Sequence, residues 1–298
     1  MRIVFLGTPD FALPSLNILI NSKHEIAAVV TAPDKERGRG RKVTYTAVKE
    51  FAAKNNLPVL QPEKLKDSNF IEELKKYKSD VFVVVAFRIL PKEVFTIPSK
   101  ISFNLHASLL PKYRGAAPIQ WALIKGEKET GVTTFALEEK VDTGNIIIQE
   151  RIKIEDKDDF GSLHDKLSEL GADAVLNTVN LIEKGNFDYM KQDDKLATPA
   201  PKITKETTKI DWNKTAEEVH NLIRGLSPYP GAYFELNNKL IKVYKSEIVT
   251  KNLSAGTSYH NKTNLIIGCG RSSLSLLELQ QEGKNKLKVE EFLRGFRF

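Results

Sequence analysis

Cysteine is almost missing from this 298-residue chain. The single thiol, Cys269, excludes an internal disulfide and suits a reducing compartment, so a cytoplasmic location is expected. It sits in LIIGCGRSS, an apolar strand running into a glycine turn, and reads as a buried structural thiol rather than a nucleophile. Long apolar runs are missing too. None approaches the roughly 18 residues a membrane helix needs, and the longest, such as Val81 to Phe87, read as buried strands, so no membrane span is expected. The first residues are broken by Gly7, Thr8, Pro9, Asp10 and Pro14 and carry no basic leader or cleavage site, which argues against secretion. His24, His164, His220 and His260 have no partner at metal-ligand spacing, so no metal is expected. The turn GTPDF lacks the later glycines of a dinucleotide fingerprint, which argues against NAD. Trp121 and Trp212 read as packing residues.

What the chain does have is length enough for two lobes and an ordinary soluble composition, 41% hydrophobic and 28% charged. Its net charge of +7 favours anionic partners, although charge alone decides little without knowing where the cations cluster.

From the start, short apolar strands alternate with helical spacing: Arg2 to Leu6, then FALPSLNILINS, EIAAVVTAPD, TAVKEFAAKNNLPVL, FIEELKKYKSD and VFVVVAF. This β-α-β rhythm predicts a doubly wound, mostly parallel α/β sheet. In such a sheet ligands bind beyond the carboxyl ends of the strands, so the turns after Leu6, Thr31, Phe87 and His106 should face one crevice. A helix from about Pro118 to Lys125, a strand pair around EEKVDTG and a long helix from about Phe160 to Lys184 follow. The polar, proline-containing stretch after Gly185 has the composition of a linker, which puts a catalytic domain at 1–187, a linker at 188–205 and a smaller domain at 206–298. In that last part a helix ending at Gly225 precedes short strands at Ala232 to Leu236, Leu240 to Tyr244, Leu265 to Ile267 and Leu274 to Gln280, the pattern of a small β-barrel or half-barrel.

The stretch NLHASLLPKYRGAAPIQ ends a strand with Asn104, His106 and Ser108 at alternate positions, so these side chains are expected on one face. A bland alternative has His106 satisfied by a backbone carbonyl and Asn104 capping a turn. Downstream, VDTG places the carboxylate of Asp142 in a tight turn between two strands expected to lie beside this one. An amide, an imidazole and a carboxylate without a dedicated nucleophile suit direct transfer of a small acyl group. The amide and imidazole would stabilise an oxyanion while the carboxylate orients the imidazole and handles protons.

NLHASLLPKYRGAAPIQ followed by GVTTFALEEKVDTGNII resembles the core of the folate-dependent formyltransferases. FLGTPDFA, TAPDKERGRGRK, IDWNKTAEEVHNLIRGLSPYPGAY and LLELQQEGKNKLKVEEFLRG extend the resemblance over nearly the whole chain, toward the branch whose acceptor is methionyl-tRNA. The resemblance implies a Rossmann-like catalytic domain, a C-terminal domain of OB-like type that helps hold initiator tRNA, and 10-formyltetrahydrofolate as co-substrate. It implies catalytic roles for Asn104, His106 and Asp142 and a folate site lined by Ser108, Leu109, Leu110 and Pro111 and by Phe87, Arg88, Ile89 and Leu90. The turn VVVAFRILP is one residue shorter than is usual in the family, while Arg-Ile-Leu is retained. A monomer is expected.

The basic segment DKERGRGRKVTYT interleaves Arg37, Arg39, Arg41 and Lys42 with Gly38 and Gly40. As a charge run it could be merely solvated; as a loop on the crevice edge it could fold around an acceptor stem, and the resemblance implies the latter, with Arg39 foremost. That loop argues against a formyltransferase acting on an amino sugar nucleotide. The C-terminal lobe argues against one acting on glycinamide ribotide, and the intact Asn104, His106 and Asp142 against a nucleic-acid-binding module with a decayed folate site.

Overall fold

The computed structural model describes residues 1–37, 42–185 and 187–296, and the chain falls into two compact units. The first comprises Met1–Gly115, Thr130–Ile152 and His164–Pro199; the second comprises Ala116–Glu129, Lys153–Leu163 and Ala200–Phe298.

The first unit is built on a seven-stranded sheet in the order Ile146–Lys153, Glu129–Ala136, Ile101–His106, Val81–Val85, Arg2–Gly7, Glu25–Val30, Val59–Leu60. The five strands from Ile101–His106 to Val59–Leu60 pair in parallel, and Glu129–Ala136 joins antiparallel. Val81–Val85 is buried at every position, as a strand covered on both faces requires. On one face Val4, Leu6, Val30 and Val84 pack with Phe70 and Leu74 of the helix Ser68–Lys76. Side-chain caps start the flanking helices: Thr46 Oγ1 accepts from Lys49 N and Asp67 Oδ1 from Phe70 N. Gly7 lies beside Val85, and Val85 beside Leu105, so these parallel strands finish together and their turns share one edge.

In the second unit the helix Ala216–Gly225 opens on a capping box in which Thr215 and Glu218 satisfy each other's backbone amides. Gly225 is not there to turn the chain. A Cβ on it would lie 2.8 Å from Ile124 Cγ1 and 3.2 Å from the Gln120 carbonyl, so glycine allows this helix to close on Pro118–Ile124. The antiparallel sheet runs Ala232–Leu236, Lys239–Val249, Ser273–Gln281, Leu265–Gly268, Ser258–His260, with Leu287–Lys288 also on Ser273–Gln281. Register shifts on either side of Lys245 bend the long strand and help curl the sheet into a half-barrel. Ile241, Val243, Leu274 and Leu276 pack there with Val219, Ile223 and Phe292.

Cys269 belongs to this core at 3% exposure, and burial pushes its thiol up to about 11. Iodoacetamide at pH 8 is therefore expected to leave the native protein unmodified while labelling the denatured chain fully, as read by intact mass. Rapid labelling of native protein would contradict the burial. No helix among the described residues is long and apolar enough to cross a membrane.

Candidate active site

The strand Ile101–His106 ends on the edge where the parallel strands finish, and alternation puts Asn104 and His106 on the same face. His106 is 6% exposed, and its Nε2 lies 2.8 Å from the Tyr113 carbonyl oxygen. A carbonyl can only accept, so Nε2 carries a proton, and in the neutral tautomer Nδ1 is the lone pair. Nδ1 faces Asp142 Oδ2 at 3.9 Å, beyond hydrogen-bonding distance. The ring is thus oriented by Tyr113, not by Asp142 as the sequence suggested, and the backbone carbonyl of the bland reading is real but uses only one nitrogen. Asn104 is half-buried, and its side-chain amide has no hydrogen-bond partner among the described residues.

Asp142 reaches His106 by a route that the sequence did not reveal. His106 pairs with Thr133 and Phe103 with Ala136, so Glu129–Ala136 runs away from the crevice edge. The Leu137–Asn145 connection therefore starts away from that edge and comes back to bring Asp142 near His106, rather than forming a tight turn beside it. Asp142 has φ +56°, in the left-handed region, and its Oδ2 accepts from Gly115 N at 2.9 Å. The glycine of the Asp-x-Gly motif has a separate reason: a Cβ on Gly144 would sit 1.7 Å from the Ala136 carbonyl oxygen. Gln192, which no motif singled out, donates to the carbonyls of Asp142 and Gly144 and accepts from the Arg114 guanidinium. The same guanidinium reaches Asp194 and holds that carboxyl below its ordinary range.

Ser108 does not share the face of Asn104 and His106. The strand stops at His106, and the fully buried Ser108 closes a turn by donating from Oγ to the Lys112 carbonyl at 2.6 Å. Leu110 is likewise spent inside the protein. Its side chain packs with Phe135 and Ile146, its N–H donates to Thr133 Oγ1, and its carbonyl accepts from Gln149. Thr133 and Gln149 were missed because a polar residue inside an apolar strand gives no sign of its partner. Leu109 and Pro111 remain half-buried.

Residues 1–179 match the sequence profile described as formyl transferase, and residues 202–297 match the formyl transferase C-terminal domain. The chain belongs to the formyl transferase family. It is 48% identical to the methionyl-tRNA formyltransferase of Caldanaerobacter subterraneus subsp. tengcongensis, covering 99% of this chain and 97% of that one. It is 46% identical to the methionyl-tRNA formyltransferase of Bacteroides fragilis, covering 99% and 95% respectively. Among solved structures, the N-formyltransferase from Helicobacter canadensis in complex with folinic acid and dTDP-3-aminofucose shares the fold with a TM-score of 0.72 at 23% identity, over 94% of this chain and 99% of that one.

Two other segments of this formyl transferase were singled out by sequence. In the short turn after Val81–Val85, Ala86 takes φ +48°, and Arg88 donates to the carbonyls of Pro62 (2.7 Å) and Glu63 (3.0 Å). Phe87 and Leu90 pack into the core beneath, with Leu90 only 8% exposed, while Ile89 stands out at 73% exposure. The basic segment is not a plain loop. Lys35–Arg37 and Lys42–Thr44 pair as an antiparallel ribbon in which Arg37 opposes Lys42. Arg39 and Arg41, with Gly38 and Gly40, lie outside the described residues. Among the described residues no group of His, Cys, Asp and Glu side chains could hold a metal ion.

Proposed function

We propose that this formyl transferase moves the formyl group of 10-formyltetrahydrofolate, a co-substrate, to the free amino group of methionyl-initiator tRNA, giving N-formylmethionyl-tRNA for translation initiation. The observation that carries the choice of acceptor is near-full-length identity at 48% to a protein named for it. The chemistry is supported by the site: His106 offers an imidazole nitrogen toward the Asp142 carboxylate, Asn104 shares the strand face with an amide that has no partner among the described residues, and the nearby Ser108 hydroxyl is committed elsewhere.

In the reaction a C–N bond forms between the α-amine and the formyl carbon, the bond from that carbon to the folate nitrogen breaks, and one proton passes from the amine to the leaving nitrogen. Asn104 donates from its side-chain amide to the oxygen that gains charge as the amine adds. His106 has Nε2–H committed to Tyr113, so it acts at Nδ1 alone. Neutral, it accepts the proton the amine releases; protonated, it donates to the same oxygen and then returns the proton to the leaving nitrogen. Asp142 supplies the compensating charge when Nδ1 is protonated, across a 3.9 Å gap that a water can bridge. Folate is held by the crevice edge, with Phe87, Arg88, Ile89, Leu109 and Pro111 available to line it and Leu90 supporting from the core. Residues 1–187 supply the reacting side chains, 188–205 link the domains and include Gln192 on the Asp142 turn, and 206–298 help hold tRNA, in a cytoplasmic, monomeric enzyme.

The deciding experiment offers 10-formyltetrahydrofolate with methionyl-tRNA, an amino sugar nucleotide or glycinamide ribotide and measures which acceptor is formylated. Formylation of either small acceptor in preference to methionyl-tRNA would refute the proposal.

Arg37, Arg39, Arg41 and Lys42 are proposed to meet phosphates of the acceptor arm. Arg39→Ala with Arg41→Ala is expected to weaken methionyl-tRNA binding and to flatten the slope of log K against log salt by somewhat under one unit for each lost phosphate contact. Folate affinity should stay at the parental value. Unchanged tRNA affinity and salt slope would leave the segment a solvated charge run.

A further inference from the structure

We propose that Gln192 is a positioning residue for Asp142, a role that rests on the reading of Asp142 as a participant in formyl transfer. Gln192 is 7% exposed, and both ends of its amide are used. Nε2 donates to the Asp142 carbonyl at 3.0 Å and to the Gly144 carbonyl at 2.7 Å, gripping the Asp-x-Gly turn on both sides of Thr143. Oε1 accepts from Arg114 Nε at 3.1 Å and Nη2 at 2.7 Å.

The neighbours of Arg114 complete the device. Tyr113 offers the carbonyl that fixes the His106 ring, and Gly115 offers the N–H that fixes the Asp142 carboxylate. One short segment thus sets the imidazole directly, the carboxylate directly, and the backbone under that carboxylate through Gln192. These attachments bear on both sides of the 3.9 Å separation of His106 Nδ1 and Asp142 Oδ2. The turn needs them, because Asp142 sits at φ +56°, where a residue with a Cβ is disfavoured unless its surroundings hold it. Displacing a reacting group by about 1 Å can cost on the order of a hundredfold in rate, so a grip on the backbone at this point bears on turnover.

The amide is specific. Glutamate could still accept from Arg114 but has no donor for the two carbonyls, and it would aim a negative oxygen at both of them.

The test compares Gln192→Glu, Gln192→Ala, Asp142→Asn and Gln192→Ala with Asp142→Asn, using full-length protein, 10-formyltetrahydrofolate and methionyl-tRNA. Each Gln192 variant should lose roughly tenfold to a hundredfold in kcat, up to the cost of misplacing a reacting group by about 1 Å. KM for both substrates should stay within about threefold, since binding surfaces are untouched. Adding Gln192→Ala to Asp142→Asn should change kcat by no more than about twofold, because both act through one group. Thermal melting checks folding, and Gln192→Glu, which keeps the side-chain size and the Arg114 pairing, carries the test if Gln192→Ala does not fold. Parental kcat in the Gln192 variants beside a crippled Asp142→Asn overturns the proposal, as does full multiplication of the two losses. Parental kcat in Asp142→Asn itself overturns the reading of Asp142, and this proposal with it.

Discussion

Asn104→Ala and His106→Ala are each expected to lower kcat for formylation roughly a hundredfold to a thousandfold, the cost of about 2.7 to 4 kcal/mol that follows loss of a group stabilising an oxyanion. The two variants should part company in stability. Asn104 has no side-chain hydrogen-bond partner among the described residues, so its truncation breaks no such bond and the melting temperature should change little. His106 is 6% exposed and satisfies the Tyr113 carbonyl, so its removal leaves a cavity and a buried acceptor without that donor, and some stability is lost as well. Activity and melting curves on both proteins decide the matter. A folded His106→Ala enzyme with parental kcat would end its catalytic assignment, and parental kcat in Asn104→Ala would leave its uncommitted amide without a role.

The second large effect is expected at Asp142. Asp142→Asn keeps an oxygen to accept from Gly115 N and removes only the charge that faces His106 Nδ1. Turnover should fall by about a hundredfold or more while folate affinity changes little, because the lost interaction matters only when the imidazole carries a proton. Stopped-flow or equilibrium folate binding measured beside kcat separates the two. Loss of folate affinity in proportion to activity, with unchanged turnover at saturation, would recast Asp142 as a residue that positions folate.

Much of this architecture was legible before any tertiary structure. A continuous apolar run such as VFVVV is typical of a strand buried on both faces, and the strand Ile101–His106 and the helix Phe160–Lys184 stand where their periodicity puts them. The meeting of Asn104 and His106 on one face needed only the two-residue repeat of a strand. That same rule failed at Ser108, because it holds only while the strand continues, and the chain turns after His106. Gly225 looked like a helix stop; its reason is the side chain of Ile124, a hundred residues away, which no local pattern can register.

Sequence alone determined the alternation of strands and helices, because backbone periodicity and short-range sterics act between near neighbours, and motif resemblance singled out Asn104, His106 and Asp142 as candidates. Tertiary structure decided which imidazole nitrogen faces Asp142, that the connection carrying Asp142 comes back to His106, and that Tyr113, Gly115 and Gln192 bond to these groups. Those are hydrogen bonds between residues from 7 to 50 positions apart, and their partners are chosen by how the strands and loops come together.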